Sequence, residues 1–184
     1  NELLIKMDSI IFFASKPTES SEYAKSVTEV ENIMHMYMGD SGIENVYVYS
    51  AIGDYILSSN SALLTNNYRD LFLDNSWIDE YEKTKERFML RNVKIKNTMK
   101  EYLTIVMPCE IKYMSGLIAY NIDLGQVRSA LNENINSINI VYDNVVCTID
   151  REKSKLQIDT NTAHELINNY GKNKTDNSIT VLSL

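Results

Sequence analysis

Cysteine and proline are scarce in this sequence, with two of each in 184 residues. Cys109 and Cys147 lie far apart and form no metal-ligand spacing. Two semi-buried thiols or one disulfide are the readings left open, and the redox compartment stays open with them. Positive charge is also short. Eighteen Lys and Arg against 25 Asp and Glu leave a net charge of −7 and a pI near 4.9. Contact with DNA or RNA needs clustered basic residues, so no nucleic acid partner is expected for this segment. No apolar run approaches the roughly 20 residues of a membrane-spanning helix, and no signal-peptide pattern opens the chain. The two histidines, His35 and His164, have no carboxylate or cysteine at ligand spacing, so no metal site is expected. A glycine-rich phosphate loop, a nucleophile elbow and a His-Glu-x-x-His run are all missing. The acids Asp79, Glu80 and Glu82 read as a solvated helix surface. We expect no enzyme and no cofactor.

What is present is apolar content for a core, 44% of the chain. The sequence begins with Asn rather than Met, and we expect a soluble segment of a longer protein. Residues Asn1–Ala14 place Leu3, Met7, Ile10 and Ala14 on one helical face, and Lys16-Pro17 ends that helix. A second helix opens near Thr18–Ser21 and carries Tyr23, Val27, Val30, Met34 and Tyr37. A hairpin follows, with strands at Val46–Tyr49 and Tyr55–Ser59 around the turn Ala51–Asp54. Residues 60 to 91 are polar with spaced aromatics. Within them Trp77, Tyr81, Thr84 and Phe88 predict a helix between 77 and 90, inside a long crossover.

The runs Tyr102–Met107 and Tyr113–Ile122 are rich in Val, Ile, Tyr and Thr, and we read them as the central hairpin of a sheet. Pro108 at the break predicts a strand end or an edge. Leu124, Val127 and Leu131 predict a helix over Leu124–Ile135. A second strand pair, Ile138–Tyr142 and Val145–Ile149, precedes a polar stretch Asp150–Thr160. A helix at Thr162–Tyr170 and a strand at Ile179–Leu184 complete the chain. Residues Asn139–Ile149 repeat the pattern of Asn45–Ser58. The expected fold class is α+β: long N-terminal helices, an antiparallel sheet module, then a second module that is smaller or incomplete.

Three stretches carry a family likeness: Ile43–Ser50 after a long helix, the crossover with Tyr68-Arg69-Asp70 and Trp77, and Gly116–Leu124. Together they resemble the extracytoplasmic double-Cache (PAS-like) sensor domains of bacterial membrane-bound regulators. Those regulators are AraC-type transcriptional regulators or sensor histidine kinases. The resemblance runs from about Ile10 to the end and is one of topology more than of fixed residues. It implies an N-terminal helical segment at 1–42, a membrane-distal Cache module at 43–123, a connecting helix at 124–136 and a membrane-proximal module at 137–184. It also implies a function: extracellular sensing of a small molecule, transmitted as a helix movement to a cytoplasmic AraC-type DNA-binding output. A histidine kinase or chemoreceptor output is the alternative. The same resemblance implies attachment to the cell membrane through flanking segments and a homodimer in the full-length protein.

Under that resemblance the ligand-binding residues are Tyr68, Arg69, Trp77, Arg87, Tyr102, Asn121 and Asp123. A small-molecule pocket needs an aromatic wall and a few convergent polar groups. Each candidate also has a plainer reading. Trp77 serves equally as a core anchor tying crossover to sheet, and Arg69 and Arg87 equally sit on a solvated helix face. Asn121 stands where amino-acid-binding members of the family carry an Asp, and Asp123 follows on the same strand face. The Arg-x-Trp-Tyr element of those members is replaced by Asn75-Ser76-Trp77-Ile78. A neutral or sugar-like ligand is therefore as consistent with the sequence as an amino acid.

Overall fold

The computed structural model describes residues 43–51, 53–59, 69, 72–111, 114–133, 135–142, 144–169 and 178–182, with Asn32 and Met34 before them. The two leading helices expected at the N-terminus otherwise lie outside the described residues. Asn32 and Met34 are helical, and Met34 is buried. The chain is mixed α+β with mostly antiparallel sheets. It divides into two compact units. One comprises Asn1–Arg87, Lys94–Thr98 and Thr104–Ile122; the other comprises Phe88–Val93, Met99–Leu103 and Asp123–Leu184.

Strands β1 (Ile43–Ser50), β2 (Tyr55–Ser58), β3 (Phe88–Ile95), β4 (Thr98–Ile111) and β5 (Met114–Asp123) form one sheet in the order β2-β1-β5-β4-β3. The hairpin read as central is central: β5 is the middle strand. β1 pairs antiparallel with β2 and β5, so Tyr47 lies opposite Ser58 on one side and Ala119 on the other. Asn45 to Ser50 are buried on both faces of β1. Gly116 allows the close pairing, because a Cβ there would stand 2.8 Å from the Tyr49 carbonyl oxygen.

Pro108 lies inside β4 rather than at its end. The Val106 N–H bonds the Arg87 carbonyl at 2.7 Å, just before β3 begins at Phe88. Two residues further along, Pro108 has passed the end of that neighbour and has no ladder hydrogen bond to supply. The crossover helix α1 (Ser76–Thr84) also differs from expectation, because it stops well short of residue 90. Lys85 terminates it in the left-handed region (φ 60°), with its N–H on the Tyr81 carbonyl. Phe88–Ile95 is then strand, not helix. Its buried row is Met89, Arg91 and Val93, and an arginine in the middle of that row hides the alternation from a sequence reading.

The second unit holds α2 (Leu124–Ser129), β6 (Ser137–Tyr142), β7 (Val145–Ile149), β8 (Ser154–Ile158), α3 (Thr160–Asn169) and β9 (Ser178–Leu182). Its sheet has the order β8-β7-β6-β9, with β6 antiparallel to β7 and parallel to β9. Val141 and Val146 on one face receive Ala163 and Leu166 of α3. α2 is half the length expected. Asn132 ends the helical path, because its side-chain oxygen and carbonyl both accept from the Ile135 N–H at 3.1 Å. β8 falls in the stretch read as merely polar. It is an edge strand, and its exposed Lys155 and Gln157 carry no apolar alternation.

Asp159 starts α3 by accepting the Asn161 and Thr162 N–H groups and the Thr162 hydroxyl, the last at 2.7 Å. The Thr162 hydroxyl first, and then its N–H, hold this carboxyl below the usual aspartate value of 3.8. A depressed carboxylate contributes stability above its unfolded value and loses it as pH falls through the folded one. The Asn161 and Thr162 amide resonances should therefore titrate together below pH 3.8. Asp159→Asn should abolish that transition, and its survival would refute the cap.

Candidate functional site

β1 supplies the floor of the candidate site in the first unit. By period two, Asn45, Tyr47 and Tyr49 share one face of the strand. The register places Asn121 of β5 opposite Asn45, and Ala119 opposite Tyr47. Thr104 of β4 continues the row by donating its hydroxyl to Asn121 Oδ1 at 2.7 Å. Asn45, Thr104 and Asn121 are all fully buried, so this part of the sheet is both dry and polar. Buried polar groups of this kind must be bonded or cost free energy.

The crossover lies on the same face. Trp77 of α1 is wholly buried and stacks on Tyr47, with ring centroids 6.2 Å apart and planes inclined by 29°. Phe72 meets Tyr47 edge-on at 5.1 Å. Such aromatic pairs add to the burial of their area. The Trp77 indole nitrogen is buried and has no hydrogen-bond partner among the described residues. An indole N–H only donates, so one donor is left to be matched by an acceptor.

Arg69 fastens the crossover to the hairpin β1–β2. Its N–H bonds the Asp54 carbonyl at 3.0 Å, and its own carbonyl accepts from the Asn75 side chain at 2.8 Å. Its guanidinium donates to the Tyr49 hydroxyl at 3.3 Å, to Glu82 at 3.2 Å and to Asp79. Glu82 and Asp79 lie three apart on α1, and the Tyr49 hydroxyl in turn donates to Asp54 Oδ1 at 3.0 Å. Partial burial opposes the Arg69 charge, but Asp79, Tyr49 and Glu82 outweigh it and hold the group protonated. Burial, then the bond to Asp54, push the Tyr49 hydroxyl above its ordinary value of 10.0.

No family model and no curated protein matches this chain. Of the expected ligand-binding residues, Trp77 and Asn121 meet one sheet face, Asn121 sitting diagonally next to the tyrosine that Trp77 covers. Arg69 is on the same crossover, but its charge is turned to Asp79 and Glu82. Arg87 is exposed, with its Nε 3.4 Å from the Val106 carbonyl. Tyr68 lies outside the described residues.

Tyr102 and Asp123 belong to the second unit. Tyr102 is fully buried. Asp123 caps α2 through its Oδ1, which accepts the Gly125 and Gln126 N–H groups, while Oδ2 accepts from Lys100 at 2.9 Å. Sequence reasoning passed over Asn45, Tyr47, Phe72 and Thr104 as site residues. The signal for the first two was their alternation with Tyr49, which tyrosine's strand preference masked. It also passed over Asp74 and Arg91, which are buried at 2% and 5% exposure and are not free of partners.

Proposed function

We propose that this chain is the extracytoplasmic ligand-sensing segment of a membrane-anchored signal-transduction protein. In this reading a Cache module spans 43–123, a second begins at 137, and long helices lead into the first. A small molecule bound against the first sheet shifts a two-state equilibrium that reaches an AraC-type DNA-binding output in the cytoplasm. The size of that shift is bounded by the ligand's differential affinity for the two states. One observation carries the proposal: a buried Trp77 indole N–H with no partner among the described residues, its ring stacked on Tyr47 of the sheet face that also bears the buried Asn45, Asn121 and Thr104. A core built only for stability fills such a face with apolar side chains, whereas a binding site keeps a few polar groups among aromatic ones.

Trp77 is the sole tryptophan, so its emission reports on the site directly. Titration with neutral sugars, polyols and amino acids should shift that emission for at least one compound. The same compound should raise stability by about 2.7 kcal/mol at a hundredfold excess over its Kd. Emission and melting temperature unchanged across the whole panel would rule out the ligand-sensing reading.

A further inference from the structure

We infer that the open edge of β8 pairs with β8 of a second copy of this chain, antiparallel about a twofold axis at Gln157, joining the two four-stranded sheets into one. The pairing needs no ligand and stands whether or not the first unit binds one.

β8 closes one side of the order β8-β7-β6-β9, and no strand lies beyond it among the described residues. Two flanking bonds fix which way its backbone points. The Asp150 N–H meets the Lys153 carbonyl at 3.0 Å, and the Asp159 N–H meets the Asn144 carbonyl at 2.9 Å. The register between β7 and β8 runs without a shift, so Lys155 and Gln157 spend their backbone groups on β7. Ser154, Leu156 and Ile158 therefore turn their N–H and C=O groups outward. Such an edge is a template for another strand, and proteins that avoid pairing blunt it with bulges, proline or inward charges. β8 has neither bulge nor proline, and it ends in Ile158, which is 71% exposed.

What selects a second copy is the match of this strand to itself. Placing Gln157 opposite Gln157 sets Leu156 of each copy against Ile158 of the other. Both residues bond outward, so each pair exchanges its backbone hydrogen bonds and brings apolar side chains together. The same register sets Lys155 of each copy against Asp159 of the other, an opposite-charge pair on both sides of the axis. Asp159 Oδ2 accepts the Thr162 hydroxyl and keeps a lone-pair site for that ammonium. Exposed pairs of this kind contribute little each, so they set register more than affinity. A five-residue strand falls short of the about 1,200 Å² that a stable interface buries, and the dimer is accordingly weak.

Cross-linking reads the register. With Cys109→Ser in place and Cys147 buried, Gln157→Cys sets one thiol from each copy beside the axis, where non-hydrogen-bonded partners stand about 4.5 Å apart and a disulfide closes. Lys155→Cys sets its two thiols four residues apart along the strands, about 13 Å, out of reach. Under a mild oxidant Gln157→Cys should give a covalent dimer at least tenfold faster than Lys155→Cys. In sedimentation of the unoxidised chain, Lys155→Glu places like charges opposite each other and should weaken self-association about tenfold. Lys155 and Gln157 are both exposed, so these substitutions leave the core intact, which circular dichroism checks. A chain that stays monomeric at the highest soluble concentration would overturn the pairing. So would cross-linking no faster in Gln157→Cys than in Lys155→Cys, or a dimer that Lys155→Glu leaves unweakened.

Discussion

Trp77→Ala should lower the unfolding free energy by about 3–5 kcal/mol, read as a fall in the urea midpoint at unchanged slope. Trp77 is fully buried, and its ring holds α1 against Tyr47. The cavity left by its removal lies beneath a crossover that Arg69 and Asn75 pin in place, so the site has little freedom to collapse. Trp77→Phe separates the two roles of this residue. It keeps a ring against Tyr47 but removes an N–H that is buried without a partner among the described residues, a group whose unpaired burial itself costs about 1–3 kcal/mol. Lost packing and relieved desolvation then oppose each other, and the ligand-free protein should change by less than about 1.5 kcal/mol. A Trp77→Phe loss as large as that of Trp77→Ala would mean that the indole N–H is satisfied in the folded protein. The premise of the proposed site would then fail.

Arg128→Met should cost about 2–3 kcal/mol. Arg128 of α2 donates through Nη2 to Glu101 Oε2 and to the Ser154 hydroxyl, both at 2.7 Å, and through Nε to the Asp150 carbonyl at 3.0 Å. One side chain thus ties the helix to β4, to the β7–β8 turn and to β8. About a quarter of each ionic partner is exposed, 23% for Arg128 and 27% for Glu101, which keeps the figure below that of a fully buried pair. Arg128→Lys should recover only part of the loss, because a lysine cannot reach three acceptors with a rigid planar fork. A double-mutant cycle with Glu101→Gln should show a coupling of about 1 kcal/mol. An unchanged midpoint in Arg128→Met would mean that these contacts do not hold the helix. The adjacent Lys100–Asp123 pair fastens the other end of α2, so two successive residues of β4 grip one short helix.

Several elements were legible because local pattern and tertiary role agree in them. β1 and β5 are β-branched and aromatic runs that lie in the sheet interior, and β6–β7 is a hairpin around a polar turn. β3 and β8 were not legible. Met89 and Val93 flank a buried arginine, and β8 is an edge strand whose solvent face is simply polar. α2 was read too long because Leu131 fits the helical stripe, whereas the Asn132 side chain claims the backbone N–H at Ile135. The burial of Cys147 was half-legible. Desolvation, and then Glu101, push its thiol up to about 12.

The candidate site divides the same way. By itself the sequence determined that a tryptophan-bearing helix crosses between two strand pairs, and that Asn121 and Asp123 end a central strand. Local periodicity and turn chemistry suffice for that much, since they act over a few residues. Only the tertiary structure decided what those residues do. Asp123 is a helix cap, Arg69 a fastening for α1, and Trp77 a buried ring stacked on Tyr47 of the central sheet. The Asp123 cap itself is local, but its Lys100 partner, the Tyr49, Asp79 and Glu82 partners of Arg69 and the Tyr47 ring against Trp77 lie 10 to 30 positions away, and no pattern along the chain encodes those meetings.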